Sequence, residues 1–252
     1  LSFRRDALVM LSAEYGDGAE TMEGEKVPVS KQEDGVLALV SLPSCGSVSL
    51  RPLSHDDKDQ KEALTKPENN MPQALAWKDG AGYHLENEYI SALIDGDGQV
   101  ISFVLKASGR EVAAGAMNQL RLYRDQPRAF DAWDIDSNYT GQELDSPCRV
   151  TGCEIAKARG AMAVLKVSGV IGESAYTQDI VLEADSSRLE FKTRIEWQEQ
   201  HRLLKAAFPV QVYTDSGINE MQFGYVKRPT HRSRPYDRDR FEVCNHRYSA
   251  LC

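Results

Sequence analysis

Long apolar runs are missing from this sequence. No stretch of its 252 residues approaches the roughly 18 consecutive apolar side chains of a membrane-spanning helix, so no membrane is expected as a partner. The opening residues, Leu1-Ser2-Phe3-Arg4-Arg5, do not form a basic-then-apolar leader. Neither end reads as a natural terminus, and a piece of a longer polypeptide is the plain expectation. A basic surplus is missing too: 30 Lys and Arg stand against 38 Asp and Glu, for a net charge of -8. Such a surface repels a phosphate backbone, which excludes nucleic acid as a general partner.

Cysteine is scarce. Cys45, Cys148, Cys153, Cys244 and Cys252 form an odd, scattered set, unlike the dense, even frameworks of secreted domains. They are expected to be thiols in a reducing compartment, which places the chain in the cytoplasm. The sequon Asn138-Tyr139-Thr140 would then carry no glycan. Also lacking are HExxH, a CxxC pair, GxSxG, a P-loop and the glycine-rich dinucleotide turn. His55, His84, His201, His231 and His246 show no close metal-ligand spacing, so no metal and no cofactor is expected within the chain. A pair of glycosidase carboxylates is not excluded, because the fold and not the spacing brings such a pair together.

What the sequence does have is a hydrophobic period close to two. Val36-Leu37-Ala38-Leu39-Val40, between Gly35 and Pro43, suits a buried strand. Residues 51–72 are polar and read as a linker. The division expected is a partial small β-sandwich domain with its linker over 1–75, then the first part of a large β-domain over 76–252. The second part opens on a hairpin, with strands over 89–94 and 100–105 around Asp95-Gly96-Asp97-Gly98. Strand-like segments follow at 149–158, 161–171, 175–184, 188–197, 203–213 and 221–227. Turn signals such as Arg159-Gly160, Gly172-Glu173 and Asp185-Ser186-Ser187 separate several of them. Over 189–197 apolar residues mostly alternate with charged ones, which predicts one buried and one wet face. No 3.6-residue stripe is sustained, so the fold class is all-β, an antiparallel β-sandwich.

Three clusters could carry chemistry. Residues 121–136 place four aspartates among arginines and aromatics. Rings can cover the C–H face of a sugar while carboxylates accept its hydroxyls, but the same aspartates could pair with Arg121, Arg124 and Arg128 and shape a loop. Residues 197–210 read as two strands joined by a polar turn, with His201 as a turn histidine or a base. Residues 224–240 are basic, with interleaved tyrosines, but Asp237 and Asp239 dilute the run. A loop projecting arginines towards an acidic neighbouring surface fits these residues better than a phosphate site.

Taken in order, these stretches resemble the glycoside hydrolase family 38 α-mannosidases, in particular the branch of cytosolic and bacterial enzymes. The resemblance runs through Leu85-Glu86-Asn87-Glu88-Tyr89, Gly109-Arg110-Glu111-Val112, Tyr123-Arg124-Asp125-Gln126-Pro127 and 130–136. It continues through His201-Arg202-Leu203-Leu204-Lys205 with Phe208-Pro209-Val210, Arg228-Pro229-Thr230-His231, and Arg240-Phe241-Glu242-Val243 with His246-Arg247-Tyr248. It is weak over 1–80. Two departures stand out: Arg232-Ser233-Arg234-Pro235-Tyr236 replaces an Asn-Thr-Ser-Trp-like run, and Tyr248 stands near a frequent Trp.

The resemblance implies a parent enzyme with an N-terminal catalytic barrel that holds zinc and an Asp nucleophile, followed by helices and then β-sandwich domains. The fold implied here is a galactose mutarotase-like supersandwich. Its partners would be a mannose-containing oligosaccharide and the parent's own barrel, with a homo-oligomer as a further option. No catalytic residue and no zinc site are expected within these residues, and the chain alone should hydrolyse nothing. Arg228 is the first candidate to reach the substrate pocket, since its guanidinium fork suits paired hydroxyls or a carboxylate. Asp131, Asp134, Asp136 and His231 are the further candidates for substrate binding. The rival readings are a stand-alone carbohydrate-binding module and a structural domain for oligomer assembly.

Overall fold

The computed structural model describes residues 5–16, 18–27, 29–32, 35–53, 72–130, 133–145 and 147–251. Among the described residues up to 53 there are six strands: β1 (Arg5–Leu11), β2 (Ala19–Thr21), β3 (Lys26–Val27), β4 (Val29–Gln32), β5 (Gly35–Leu42) and β6 (Leu50–Pro52). They form two small antiparallel sheets in the orders β1-β5-β4 and β3-β2-β6. The apolar run expected as a strand is the central β5, and its Ala38 and Val40 pack with Ala19 and Val27 in a small core. The linker reading began two residues too early. Arg51 and Pro52 complete β6, where Arg51 Nε lies 2.7 Å from the Glu20 carboxylate. Pro52 is tolerated because β6 is an edge strand, where a missing N–H costs no ladder bond. The rest of that stretch, 54–71, lies outside the described residues.

Fifteen further strands follow among the described residues. They are β7 (Ala74–Lys78), β8 (Tyr83–Glu86), β9 (Ile90–Ile94), β10 (Val100–Leu105), β11 (Arg110–Glu111), β12 (Gln119–Arg124), β13 (Cys148–Lys157) and β14 (Arg159–Gly160). Then come β15 (Met162–Ile171), β16 (Ser174–Glu183), β17 (Leu189–Glu196), β18 (Arg202–Ala207), β19 (Ser216–Met221), β20 (Gly224–Pro229) and β21 (Ser249–Leu251). Among the described residues the regular elements that are not strands are short 3-10 turns, such as Ser137–Gly141 and Pro235–Asp237. The all-β expectation therefore holds.

A six-stranded sheet, β11-β10-β9-β8-β7-β14, faces a four-stranded one, β13-β15-β16-β17. Leu85, Ile90, Ile94 and Val100 from the first meet Leu165, Val167, Ile171, Ile180 and Leu182 from the second in one core. Alternation puts them there: in β15, Ala163, Leu165, Val167 and Ile171 point inward, all at odd residue numbers. Each fully buried Leu or Ile contributes about 1.5–3 kcal/mol of apolar transfer. Gly169 keeps this inward row but has no side chain. A Cβ there would lie 2.5 Å from the ring of its cross-strand neighbour Tyr176, which fills the space.

Two buried polar groups tie the sandwich together. Asn87, in the β8–β9 turn, donates through Nδ2 to the carbonyls of Glu183 (2.8 Å), Ala184 (3.4 Å) and Ser186 (2.6 Å) on the opposite sheet's β16–β17 turn. Its Oδ1 accepts the backbone N–H groups of Tyr89 and Ile90, each at 2.9 Å. Gln178 donates to Thr193 Oγ1 at 2.8 Å and shares hydrogen bonds with Asn118.

Other sequence expectations need correcting. Arg159-Gly160 is not a turn but the two-residue strand β14, which pairs with β7. The strand expected over 203–213 ends at Ala207, because Pro209 has no N–H for a ladder. Val210 makes only an isolated bridge, to Ala113. The segment 221–227 straddles a hairpin: Met221 closes β19, Gln222-Phe223 turn, and Gly224 opens β20. Finally, the apolar face of β17 is only half buried, since β17 is a sheet edge; Trp197, just beyond it, is 41% exposed.

Candidate functional site

The basic cluster folds around a cleft. The hairpin β19–β20 and the strand β21 form a three-stranded sheet in the order β20-β19-β21, and the residues between β20 and β21 arch over it. Arg228 and Pro229 end β20, Thr230, His231 and Arg232 follow, and Asp237 closes a 3-10 turn opened by Pro235. Together with Arg240, Val243 and the sheet residues Ile218, Asn219, Ser249 and Leu251 they line a cleft of about 250 Å3. Arg228 Nη1 donates to the Cys244 carbonyl at 3.3 Å, and Thr230 Oγ1 donates to the Thr214 carbonyl at 2.5 Å. His231 Nδ1 shares a hydrogen with Ser233 Oγ at 2.8 Å.

Asp237 is the buried charge of this cleft, with its side chain only 2% exposed. Its Oδ2 accepts the backbone N–H of Arg234 at 2.9 Å. Its Oδ1 accepts no hydrogen bond. The basic side chains beside it stand back: Arg240 Nη1 is 3.8 Å from Oδ1, and His231 Nδ1 is 3.9 Å from Oδ2.

A second polar cluster fixes the far wall of the cleft. Tyr139, buried in the turn Ser137–Gly141, donates its phenol to the Glu242 carboxylate, and Lys205 Nζ on β18 donates to the same oxygen. The Lys205 ammonium also sits 5.0 Å from the Tyr139 ring centroid, a cation–π contact. Tyr123 meets Tyr139 edge-on at 5.2 Å, and Phe241 lies 6.3 Å away. Burial pushes the Tyr139 phenol up, and the Glu242 carboxylate reinforces that. Burial works against the Glu242 carboxylate, yet hydrogen bonds from Lys205 and Tyr139 hold it below the usual carboxylate range. Burial likewise works against the Lys205 ammonium, but Glu242 and Tyr139 leave it raised. The cluster pins residue 242, and so the neighbouring Val243 wall, to the ribbon β12–β18.

A carboxylate held low stabilises the fold above its unfolded value, and the benefit is lost as pH falls through the folded value. Glu242→Gln is therefore expected to cost about 1 kcal/mol at neutral pH, a modest figure because Glu242 and Lys205 are partly exposed. The cost should begin to shrink as pH falls below the unfolded value of about 4.3, and disappear only once pH has fallen through the lower folded value. Urea midpoints across this range check it, and a cost independent of pH would contradict the ion pair.

Of the residues expected to bind substrate, the structure brings Arg228 and His231 together in the cleft. Asp134 and Asp136 are elsewhere and shape their own loop. Asp134 Oδ1 accepts the N–H of Ile135 at 2.9 Å, and Asp136 Oδ2 takes the Arg128 N–H at 3.2 Å with its guanidinium at 3.5 Å. Asp131 lies outside the described residues. Arg121 turns to Gln119 and Glu143, not to an aspartate of its own cluster. His201 has a left-handed backbone (φ 51°), and it is its carbonyl, not its ring, that accepts the N–H of Asp125. Asp237, Arg240 and Glu242 were not singled out from sequence. The signal available was Pro235 opening a turn with an acid two residues later, which satisfies a free N–H at the turn's start.

Residues 85–251 match the model of the glycosyl hydrolases family 38 C-terminal domain. The chain belongs to this family. It is 32% identical to human alpha-mannosidase 2C1 over 222 residues, 85% of this chain but 20% of that protein. It is 28% identical to alpha-mannosidase G of Dictyostelium discoideum, again over 85% of this chain and 20% of the relative. The chain thus spans about a fifth of the length of the curated relatives it matches. A crystal structure of an alpha-mannosidase from Enterococcus faecalis V583 superposes with a TM-score of 0.57 at 12% identity, covering 91% of this chain and 33% of that one. At that identity the likeness speaks for the fold. No helix among the described residues is long and apolar enough to cross a membrane.

Proposed function

We propose that this chain is a non-catalytic β-region of a zinc-dependent, retaining α-mannosidase that removes terminal α-linked mannose from oligosaccharides. The observation that carries this reading is the family match over 85–251, together with relatives that are α-mannosidases several times longer. A catalytic barrel elsewhere in the parent supplies the chemistry. Among the described residues no three His, Cys, Asp or Glu side chains converge to hold a metal ion, so the residues present do not fit the zinc. The two separate buried clusters, one under β2 and β5 and one inside the large sandwich, support a boundary near residue 75. Cys148, Cys153 and Cys244 carry no disulfide, which supports a cytoplasmic location. A stand-alone sugar-binding module is favoured by one observation, the outward ring of Trp133, 90% exposed beside Phe130.

The parent enzyme is expected to hydrolyse an aryl α-mannoside and to lose that activity to a zinc chelator, while this chain alone turns nothing over. Turnover by the isolated chain would overturn the reading. In the parent, Arg228→Ala should lower kcat/KM about 10- to 100-fold, the loss of one charged hydrogen bond to substrate or barrel. An unchanged melting temperature separates this from unfolding, and unchanged kinetics would leave Arg228 with its backbone contact to Cys244 alone.

A further inference from the structure

We infer that the tip of the β19–β20 hairpin is a docking wedge, anchored by Phe223, that seats in an apolar, acid-rimmed pocket on parent polypeptide outside residues 1–252. The tip combines two unfavourable features. Phe223 has a left-handed backbone (φ 65°), a conformation that crowds any Cβ and that bulky side chains rarely adopt. Its ring is also fully exposed to water. Glycine would turn the same hairpin with neither. Strained backbone of this kind gathers at ligand clamps and binding sites, where a partner uses the conformation.

The residues around Phe223 shape the wedge. Met221 pairs with Gly224 and Glu220 with Tyr225, so Phe223 stands at the very end of the ladder. Tyr225 and Val226 follow in an extended strand and leave opposite faces, yet both are open, at 59% and 41%. No atom lies within 4 Å of where a Gly224 side chain would stand. Water on both faces of β20 fits an arm that enters a neighbour, not a sheet lying flat on one. An aromatic anchor pre-set in its bound conformation loses little freedom on docking.

Charge and length argue for the occupant. Lys227 is exposed and leaves the same face as Tyr225, whereas the Glu220 carboxylate across from Tyr225 accepts the Arg247 N–H at 2.9 Å. The arm therefore presents rings and a cation, which an apolar pocket with carboxylates at its rim complements. This chain spans 20% of the length of its human relative, so most of such a parent is polypeptide that this hairpin could meet. A second copy fits less well. The cleft beside β20 is lined by Arg228, Arg232 and Arg240, which repel Lys227, and the cavity lined by Gln99, Asn118, Gln119 and Gln178 is polar.

The wedge rests on the reading of this chain as part of a longer enzyme, and the test separates the two. Amide hydrogen exchange across 221–227 is expected to be about tenfold slower, or more, in the parent than in this chain alone. Phe223→Gly then acts oppositely in the two settings. In this chain alone the melting midpoint should hold or rise by up to about 4 °C, because glycine accepts the left-handed turn and no anchor is lost. In the parent the same substitution should speed exchange across the hairpin about tenfold or more, for one lost aromatic anchor. Equal wild-type exchange in chain and parent, or unchanged exchange in the parent variant, overturns the docking. So does a fall in the midpoint of the isolated variant, which would make Phe223 a local packing residue. A concentration-dependent dimer of the wild-type chain that Phe223→Gly abolishes would hand the wedge to a second copy and also overturn it. Should the parent variant fail to fold, the wild-type exchange comparison decides alone. A parent that protects 221–227 but hydrolyses no α-mannoside sinks the enzyme reading and leaves the wedge standing.

Discussion

Asn87→Asp is expected to destabilise the chain by about 3–5 kcal/mol at neutral pH, the cost of turning a satisfied buried group into an uncompensated charge. The substitution keeps the acceptor half of the side chain, so Tyr89 and Ile90 N–H remain served. It replaces the amide donor with a second acceptor that faces three carbonyls within 2.6–3.4 Å. Lone pairs then oppose lone pairs in a site that is 4% exposed. The pH dependence identifies the cause. The buried carboxyl would be driven up, so its folded form prefers a proton, and stability is lost as pH rises through the unfolded value near 4. The variant should thus lie closer to wild type at pH 4 than at pH 7. Asn87→Ala should cost less than the Asp variant at neutral pH and show no such recovery. Chemical denaturation at the two pH values checks this, and equal losses at both would reject the charge argument.

Leu165→Ala is expected to cost about 2–5 kcal/mol, the range for removing a buried leucine and leaving a cavity. Leu165 is fully buried at the centre of β15, flanked by β13 and β16, so neighbouring strands cannot collapse onto the gap without breaking their registers. The next residue, Lys166, points the other way and is exposed, and Lys166→Ala should stay within about 0.5 kcal/mol. For a chain of this size each kcal/mol moves the melting midpoint by about 2–4 °C. Calorimetry on the pair reads both. Equal midpoints for the two variants would mean that the inward row of β15 is misassigned.

Most strands were legible in the sequence because burial on one face forces a period of two, which β9, β13, β15 and β16 carry, while β5 is legible as a short continuous apolar run. Failures occurred where a backbone constraint overrode the pattern. Phe208-Pro209-Val210 is apolar enough for a strand, but the proline ends the ladder. Gln222-Phe223 turns a hairpin without Gly, Asn or Asp, and Phe223 takes a φ of 65° to do so. The candidate site was legible only in part. Arg228 and His231 stood out as polar types in a basic loop, but Asp237 read as a mere dilution of that charge. Its role comes from burial, which spacing does not reveal. The stretches that carried the family resemblance are explained mainly by architecture: Asn87 joins two sheets, and Glu111 accepts Ser102 Oγ at 2.5 Å with the N–H groups of Phe103 and Ala113, each at 2.8 Å.

The order of strands in the four-stranded sheet has a kinetic consequence. Strands β15, β16 and β17 are successive in both chain and space, and their hairpins close over a few residues, so little chain entropy is lost before their apolar faces meet. The strand β7, by contrast, finds its outer neighbour β14 only after some eighty intervening residues are in place. A nascent chain would assemble the β15–β17 meander locally and early. The six-stranded layer can complete its far edge only when residues 159–160 emerge, immediately ahead of that meander.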